Sequence, residues 1–316
     1  MKSPILFIIF KRVNTTQRVF SRIREARPPK LYIAADGPRL NRPDEMEKCE
    51  LTRKVVENID WPCEVHRLYR NANLGCGVGV SSAITWFFEH EEQGVIIEDD
   101  ILPHLDFFKY CDEMLERYKD DYRIQLIAGW NRLYNGYGTD ASYYMSNYMH
   151  IWGWASWRRV WKSYVFDAAQ LPYELFRENI NKRALYPEEY LEDFEMMKNH
   201  EIDTWDYQLY YNQILYGRYS IIPYTNMIEN IGMGGTDATH TTVDDIKISG
   251  HKSASPYPLH HPSALYVDTY ADYLNRINGI SVKTPEQQIE QFKRINKIKS
   301  LVYIFYSKLR SYITWK

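Results

Sequence analysis

The 316-residue chain is poor in cysteine, with only Cys49, Cys63, Cys76 and Cys111. No two of them form a C-x-x-C pair, and none stands at metal-ligand spacing from a histidine. This excludes a disulfide-framed scaffold and a zinc finger, and the four are expected to be reduced thiols of a cytoplasmic protein. Long hydrophobic runs are also missing: no stretch reaches the roughly 18 apolar residues of a membrane span. The opening MKSPILFIIFKR has a short apolar run, then a basic pair and no small-residue cleavage site, so it is not expected to be a signal peptide. Charge of one sign is absent as well. The formal net charge is −2 at pH 7, which gives no global basic field and no reason to expect nucleic acid as a partner. No glycine occurs before Gly37, so the first strand lacks the Gly-rich loop that wraps a triphosphate. The alternating glycines of Asn73-Leu-Gly-Cys-Gly-Val-Gly79 are followed by neither Lys-Ser nor Lys-Thr and do not make G-x-G-x-x-G. They are therefore neither a P-loop nor a dinucleotide fingerprint.

What is present is a globular composition, 45% hydrophobic, with 27 Tyr and 9 Trp. That is enough apolar surface for a substantial core, and aromatic rings offer flat walls with polar edges on which sugars and bases stack. Apolar runs at Pro4–Phe10, Leu31–Ala35 and Gly94–Ile97 predict buried strands, and Glu64–Tyr69 is a further expected strand. Helical periodicity between them predicts helices over Asn14–Arg24, Asp44–Asn58 and, behind a glycine turn at Gly75–Gly79, Val80–His90. A β-α-β-α-β-α-β order of this kind predicts an α/β fold with a mostly parallel sheet flanked by helices. Further helices are expected over Leu105–Tyr118, Ser156–Tyr164, Pro187–Asn199 and Asp206–Gly217, with strands at Ile124–Ala128 and Ser220–Pro223 and a loop from Trp130 to Tyr144. The expected organisation is a catalytic domain over 1–245, a surface coil over 246–283 that includes the Pro- and His-rich stretch 250–263, and a C-terminal helical extension over 284–316. That last segment is basic and amphipathic, so it is expected either to lie on the inner face of an anionic membrane or to dock on protein.

The most informative stretch is Gly94-Val-Ile-Ile-Glu-Asp-Asp-Ile101. Three acids at the end of an apolar strand repel one another unless a cation meets them. Mn²⁺ or Mg²⁺ suits carboxylate and phosphate oxygens and can neutralise a nucleotide diphosphate as it leaves. In open α/β sheets, ligands sit beyond the carboxyl ends of the strands, where these acids fall.

Four blocks give a family resemblance: PILFIIFKR with the later Ala-Ala-Asp-Gly; VIIEDDILPHLDFFKY; AGWN followed by WGWASWRRVW; and TWDYQ with the strand and glycine loop after it. Together the chain resembles the GT-A-fold glycosyltransferases, and within them the N-acetylglucosaminyltransferase I type, over about residues 4 to 240. The resemblance implies a Rossmann-like domain that moves a sugar from a UDP-sugar donor to a glycan or lipid-linked glycan acceptor, with a divalent metal and inversion. It implies that Asp100 touches the metal and that Glu98 and Asp99 face the sugar and ribose. Arg12 and Asp36, with Gly37, would meet the uracil ring, and Trp152, Gly153 and Trp154 would line the sugar pocket. Asp206 in TWDYQ is the expected catalytic base and Asp203 the runner-up, although a further acid of the family motif is replaced here by Tyr207. In the glycine-rich loop Gly232–His240, His240 is a candidate for the metal or the diphosphate. Two alternatives stand beside this reading: a sugar nucleotidyltransferase, disfavoured by the missing glycine loop, and an inactive nucleotide- or glycan-binding homologue.

Overall fold

The computed structural model describes residues 1–133, 140–232 and 257–277. The first half alternates strictly: β1 (Ile5–Ile9), α1 (Val13–Ala26), β2 (Lys30–Ala35), α2 (Asp44–Val55), β3 (Glu64–Tyr69), α3 (Gly75–His90) and β4 (Gln93–Glu98). Then come β5 (Ile101–Pro103), α4 (Leu105–Arg117), β6 (Ile124–Ala128), β7 (Tyr143–Ser146), β8 (Trp154–Trp157) and the single turn α5 (Arg158–Trp161). The remaining elements are α6 (Tyr173–Arg183), α7 (Pro187–Lys198), α8 (Asp206–Leu215), β9 (Tyr219–Pro223), β10 (Ile228–Asn230) and α9 (Thr269–Ile277).

Eight strands form one sheet in the order β3-β2-β1-β4-β8-β6-β9-β7. β1 pairs in parallel with β2 and with β4, and β2 with β3, while β8 runs antiparallel between β4 and β6 and β7 runs antiparallel to β9. The sheet is mixed and mostly parallel, covered by helices on both faces, as a Rossmann-like α/β fold requires. Successive side chains of β1 go to opposite faces. Ile5, Phe7 and Ile9 join α1 residues Val19, Phe20 and Ile23 and α4 residues Phe107, Phe108 and Met114 in one core. Leu6 joins α3 residues Val80, Ile84 and Phe87 in the other, with Trp154, Trp205 and α9 residues Ala271 and Leu274. A third, smaller core of Phe176, Ile180, Phe194, Met197 and Tyr211 holds α6, α7 and α8 together.

The strand order reverses at β1, because α1 and α2 lead outward to β2 and β3, whereas α3 returns the chain to β4 on the other side of β1. The carboxyl ends of β1 and β4 therefore flank a topological switch point, the place where such sheets leave a crevice. A two-stranded ribbon of β5 and β10 closes one side of it.

Three expectations are corrected. Gly75–Gly79 is the first turn of α3 rather than a loop before it. Ser156 and Trp157, expected to start a helix, instead end β8, which is paired on both edges, and within the expected Ser156–Tyr164 only Arg158–Trp161 is helical. Within the segment expected to be surface coil, residues 257–277 are docked on the α/β domain. The His260 N–H donates to Ser142 Oγ at 2.8 Å, the Asp268 N–H to the Met145 carbonyl at 2.9 Å, and Asp272 accepts from the Asn147 N–H at 3.0 Å. His240 and the expected helix over 284–316 lie outside the described residues. Among the described residues, no helix is long and apolar enough to cross a membrane.

Candidate functional site

The switch point is built by two short connections. After β1, only Phe10, Lys11 and Arg12 separate the strand from α1. Lys11 turns inward to a fully buried Glu45 at 2.8 Å, which Arg39 also approaches at 3.3 Å. Arg12 turns instead across the crevice, ion-pairing with Asp100 and reaching Asp99 Oδ1 at 3.4 Å. The Phe10 N–H donates to the other Asp99 oxygen at 3.0 Å. The backbone of the triplet is fixed from the opposite side, where the Ile231 N–H donates to the Asp100 carbonyl at 2.8 Å. Gly232 follows directly, and a Cβ there would lie 2.3 Å from an Asp100 carboxylate oxygen, so only glycine lets this strand pass the acid.

Three carboxylates thus share one guanidinium. Glu98 has no hydrogen-bond partner among the described residues. Its pKa is raised, first by desolvation and then by Asp100, Asp99 and Asp206. Asp99 is raised by desolvation and by Asp100, against the pull of Arg12. Burial and repulsion therefore outweigh the single cation, and the site is one positive charge or more short of balance.

Asp203 and Asp206 have separated fates. Asp203 caps α3, accepting the Cys76 N–H at 2.9 Å and the Gly77 N–H at 2.8 Å. Asp36 takes the Leu74 N–H at 2.9 Å, so two carboxylates meet the positive end of this helix dipole. Gly75, at φ +82°, and Gly77 make that possible: a Cβ on Gly77 would sit 2.7 Å from Asp203 Oδ1 and 2.9 Å from the Thr204 carbonyl. The second Asp36 oxygen is buried with no partner among the described residues, and burial raises the Asp36 pKa. Gly37 packs on the 71–73 backbone, its N–H donating to the Ala72 carbonyl at 3.3 Å. Asp206 is not used as a cap. Its carboxylate accepts from Thr204 Oγ1 and raises the pKa of both Glu98 and Cys76, which places it on the crevice side of α8.

The tryptophan segment is divided. Trp154 is 1% exposed and stacks on Trp205 with centroids 5.8 Å apart, so it is a core side chain. Trp152 is half-buried, 4.5 Å from the ring of Trp130, which also receives the edge of His150 at 4.7 Å. Gly153 turns the chain at φ +59° and accepts the Gly129 N–H at 2.8 Å.

The sequence did not single out what lies beside Asp206: a cavity of about 300 Å³ lined by Arg132, Tyr148, His150, Tyr190, Tyr207, Tyr210, Asn275 and Arg276. Its walls come from segments far apart in the chain, so no local pattern announces it. A larger hollow of about 530 Å³ on α6 is lined by that helix alone and includes none of these residues.

No family model matches the chain, and no curated protein matches its sequence. Among solved structures, HddC from Yersinia pseudotuberculosis is 11% identical and aligns over 51% of this chain and 80% of its own, with a TM-score of 0.33. S. aureus TarS 1–349 is 10% identical over 72% of this chain and 59% of its own, with a TM-score of 0.39. A UDP-glucose pyrophosphorylase complexed with UDP-glucose is 10% identical over 79% of this chain and 97% of its own, with a TM-score of 0.38. Likeness this distant leaves the chemistry to be read from the chain's own residues.

Proposed function

We propose that the chain is a GT-A-type glycosyltransferase that binds a nucleotide-sugar, with a divalent cation, in the crevice between β1 and β4. The observation that carries this reading is the acidic triplet: Glu98, Asp99 and Asp100 at a switch point, met among the described residues by the guanidinium of Arg12. Among the described residues the triplet offers hard carboxylate oxygens, which suit Mn²⁺ or Mg²⁺, and His240 lies outside them. No group of three or more acids, histidines or cysteines among the described residues could hold a metal ion by itself. A cation here would therefore be held by one or two carboxylates, Asp100 first, with the diphosphate of the ligand supplying further oxygens. When bound, the cation would neutralise charge on the departing diphosphate.

The protein's own groups supply the rest. Asp36, with one unsatisfied oxygen beside Gly37, offers an acceptor to a base edge, and Arg12, across the crevice, offers guanidinium donors. Asp206 would take the proton of the acceptor hydroxyl as that oxygen bonds to the anomeric carbon and the bond to the diphosphate breaks, a contribution of roughly 10²–10⁴-fold. The three-residue connection from β1 to α1 leaves no loop to enclose a triphosphate, which favours sugar transfer over nucleotidyl transfer.

The deciding experiment is a thermal-shift screen against UDP, GDP, CMP and dTDP, each with and without Mn²⁺. A Mn²⁺-dependent shift with UDP, with slow donor hydrolysis on adding UDP-sugars, is the expected result. A nucleotide shift indifferent to metal would refute the triplet's assigned role.

A further inference from the structure

The cavity beside Asp206 combines features that a merely structural void would not need. Four tyrosines, Tyr148, Tyr190, Tyr207 and Tyr210, supply flat walls with polar edges. Two guanidiniums line it as well: Arg276 lies 5.2 Å from the ring centroid of Tyr190, and Arg132 lies 5.7 Å from that of Trp130. Arg276 is steered there by Glu189. His150 is buried, and burial together with Arg132 pushes its pKa down to about 3, so at neutral pH it adds no further positive charge.

Two polar atoms on α9 are left over. Asn275 spends its amide N–H groups on Tyr144 Oη at 2.8 Å and the Ala271 carbonyl at 3.1 Å. Its Oδ1, and Nε of Arg276, are buried without a hydrogen-bond partner among the described residues. A buried acceptor and a buried donor left without partners are destabilising, and a ligand that presents a hydroxyl and an anionic oxygen would satisfy both. Asp206 lines the same cavity, and its charge is felt by Glu98, so this carboxylate is shared between the cavity and the neighbourhood of the triplet. A volume of about 300 Å³ is at the small end for ligand sites and suits a single sugar ring with one charged substituent.

We propose that this cavity is the acceptor site and that it selects a sugar bearing a carboxylate or phosphate group, bound by Arg132 and Arg276 with the reactive hydroxyl toward Asp206. The proposal rests on the transferase reading for its direction of attack, but the recognition itself is independent of it.

The test is a direct binding titration of the full chain, by calorimetry, with glucuronate, glucose 6-phosphate and glucose, in the presence and absence of UDP and Mn²⁺. At least one anionic sugar is expected to bind about tenfold or more tighter than glucose, the worth of one charge-assisted hydrogen bond, and the preferred probe tells carboxylate from phosphate. Arg132→Gln and Arg276→Gln, on separate segments, should each abolish most of that preference while leaving the UDP/Mn²⁺ thermal shift unchanged. Arg276→Lys should restore part of it. If Arg276→Gln does not fold, Arg132→Gln carries the test alone. Equal binding of charged and neutral sugars, or a preference that survives in the folded Gln variants, would overturn the proposal. Anionic-sugar binding without any nucleotide shift would uphold the cavity and reject the transferase reading.

Discussion

At the scale of single residues, the two aspartates of the Ile202-Asp-Thr-Trp-Asp206 stretch make opposite predictions. Asp203 is a helix cap, so Asp203→Ala should lower stability by about 1 kcal/mol and change turnover little once the protein is folded. Asp206→Asn should leave the melting temperature within a degree or two and reduce kcat by about 10²-fold or more. Melting curves and initial rates on the same two preparations separate the roles. Asp100→Ala should remove the Mn²⁺ dependence of UDP binding with the fold intact, since Arg12 retains Asp99 at 3.4 Å. Wild-type UDP affinity in that variant would remove the metal site from the triplet. The acids were legible in the sequence because a valine- and isoleucine-rich strand running into three carboxylates has few structural explanations. The pairing of Arg12 with them was not, because it depends on β1 and β4 being neighbours, which residue order alone does not state.

At the scale of elements, the alternating glycines of α3 are legible as unusual but not as a cap. Their function appears only when Asp203, more than a hundred residues later, is brought to the helix end, with its oxygens within 2.9 Å of two amides. Gly77→Ala should therefore cost about 1–3 kcal/mol through overpacking against Asp203 and the Thr204 carbonyl, and chemical denaturation would measure it. The first four strands and the helices between them were legible, because β1, β2 and β4 are continuous apolar runs, although β3 (Glu64–Tyr69) is largely polar and the start of α3 was placed a turn too late. The second half was read less well. β8 is short, and its Trp-Ala-Ser-Trp pattern becomes a strand only because β4 and β6 both offer it hydrogen bonds. The docking of 257–277 was missed because proline and histidine dominate its beginning, while the anchoring groups, Asp268 and Asp272, resemble ordinary surface acids in the sequence.

At the scale of the whole molecule, the crevice is a store of unfavourable charge. Burial lifts the pKa of Glu98 to about 8 and also raises Asp99 and Asp272 above the ordinary carboxylate range. It pushes His150 down to about 3, which works the other way below about pH 6.5. The three carboxyls outnumber it, so together these groups bind more protons in the folded chain than in the unfolded one up to about pH 8. Stability with respect to pH follows the difference in protons bound, unfolded minus folded, which is negative here. The ligand-free protein should therefore lose stability steadily from about pH 5 to pH 8, a trend that thermal melts in a constant-ionic-strength buffer series would reveal. Mn²⁺ with the matching nucleotide should flatten the upper part of that slope, because a bound cation rather than a proton then compensates Glu98.

The position of β8 has a consequence for biosynthesis. β4 is a central strand with an apolar interior, Gly94–Ile97, whose second edge is filled by Trp154–Trp157, about sixty residues further along the chain. While those residues are still being made, a growing polypeptide carries Gly94–Ile97 with one side of its backbone unpaired, the arrangement that invites a neighbouring chain to add its own strand. Release of a fragment ending between β6 and β8 should therefore yield aggregates rather than a soluble half-domain, and the chain is most dependent on chaperones within that interval of its synthesis.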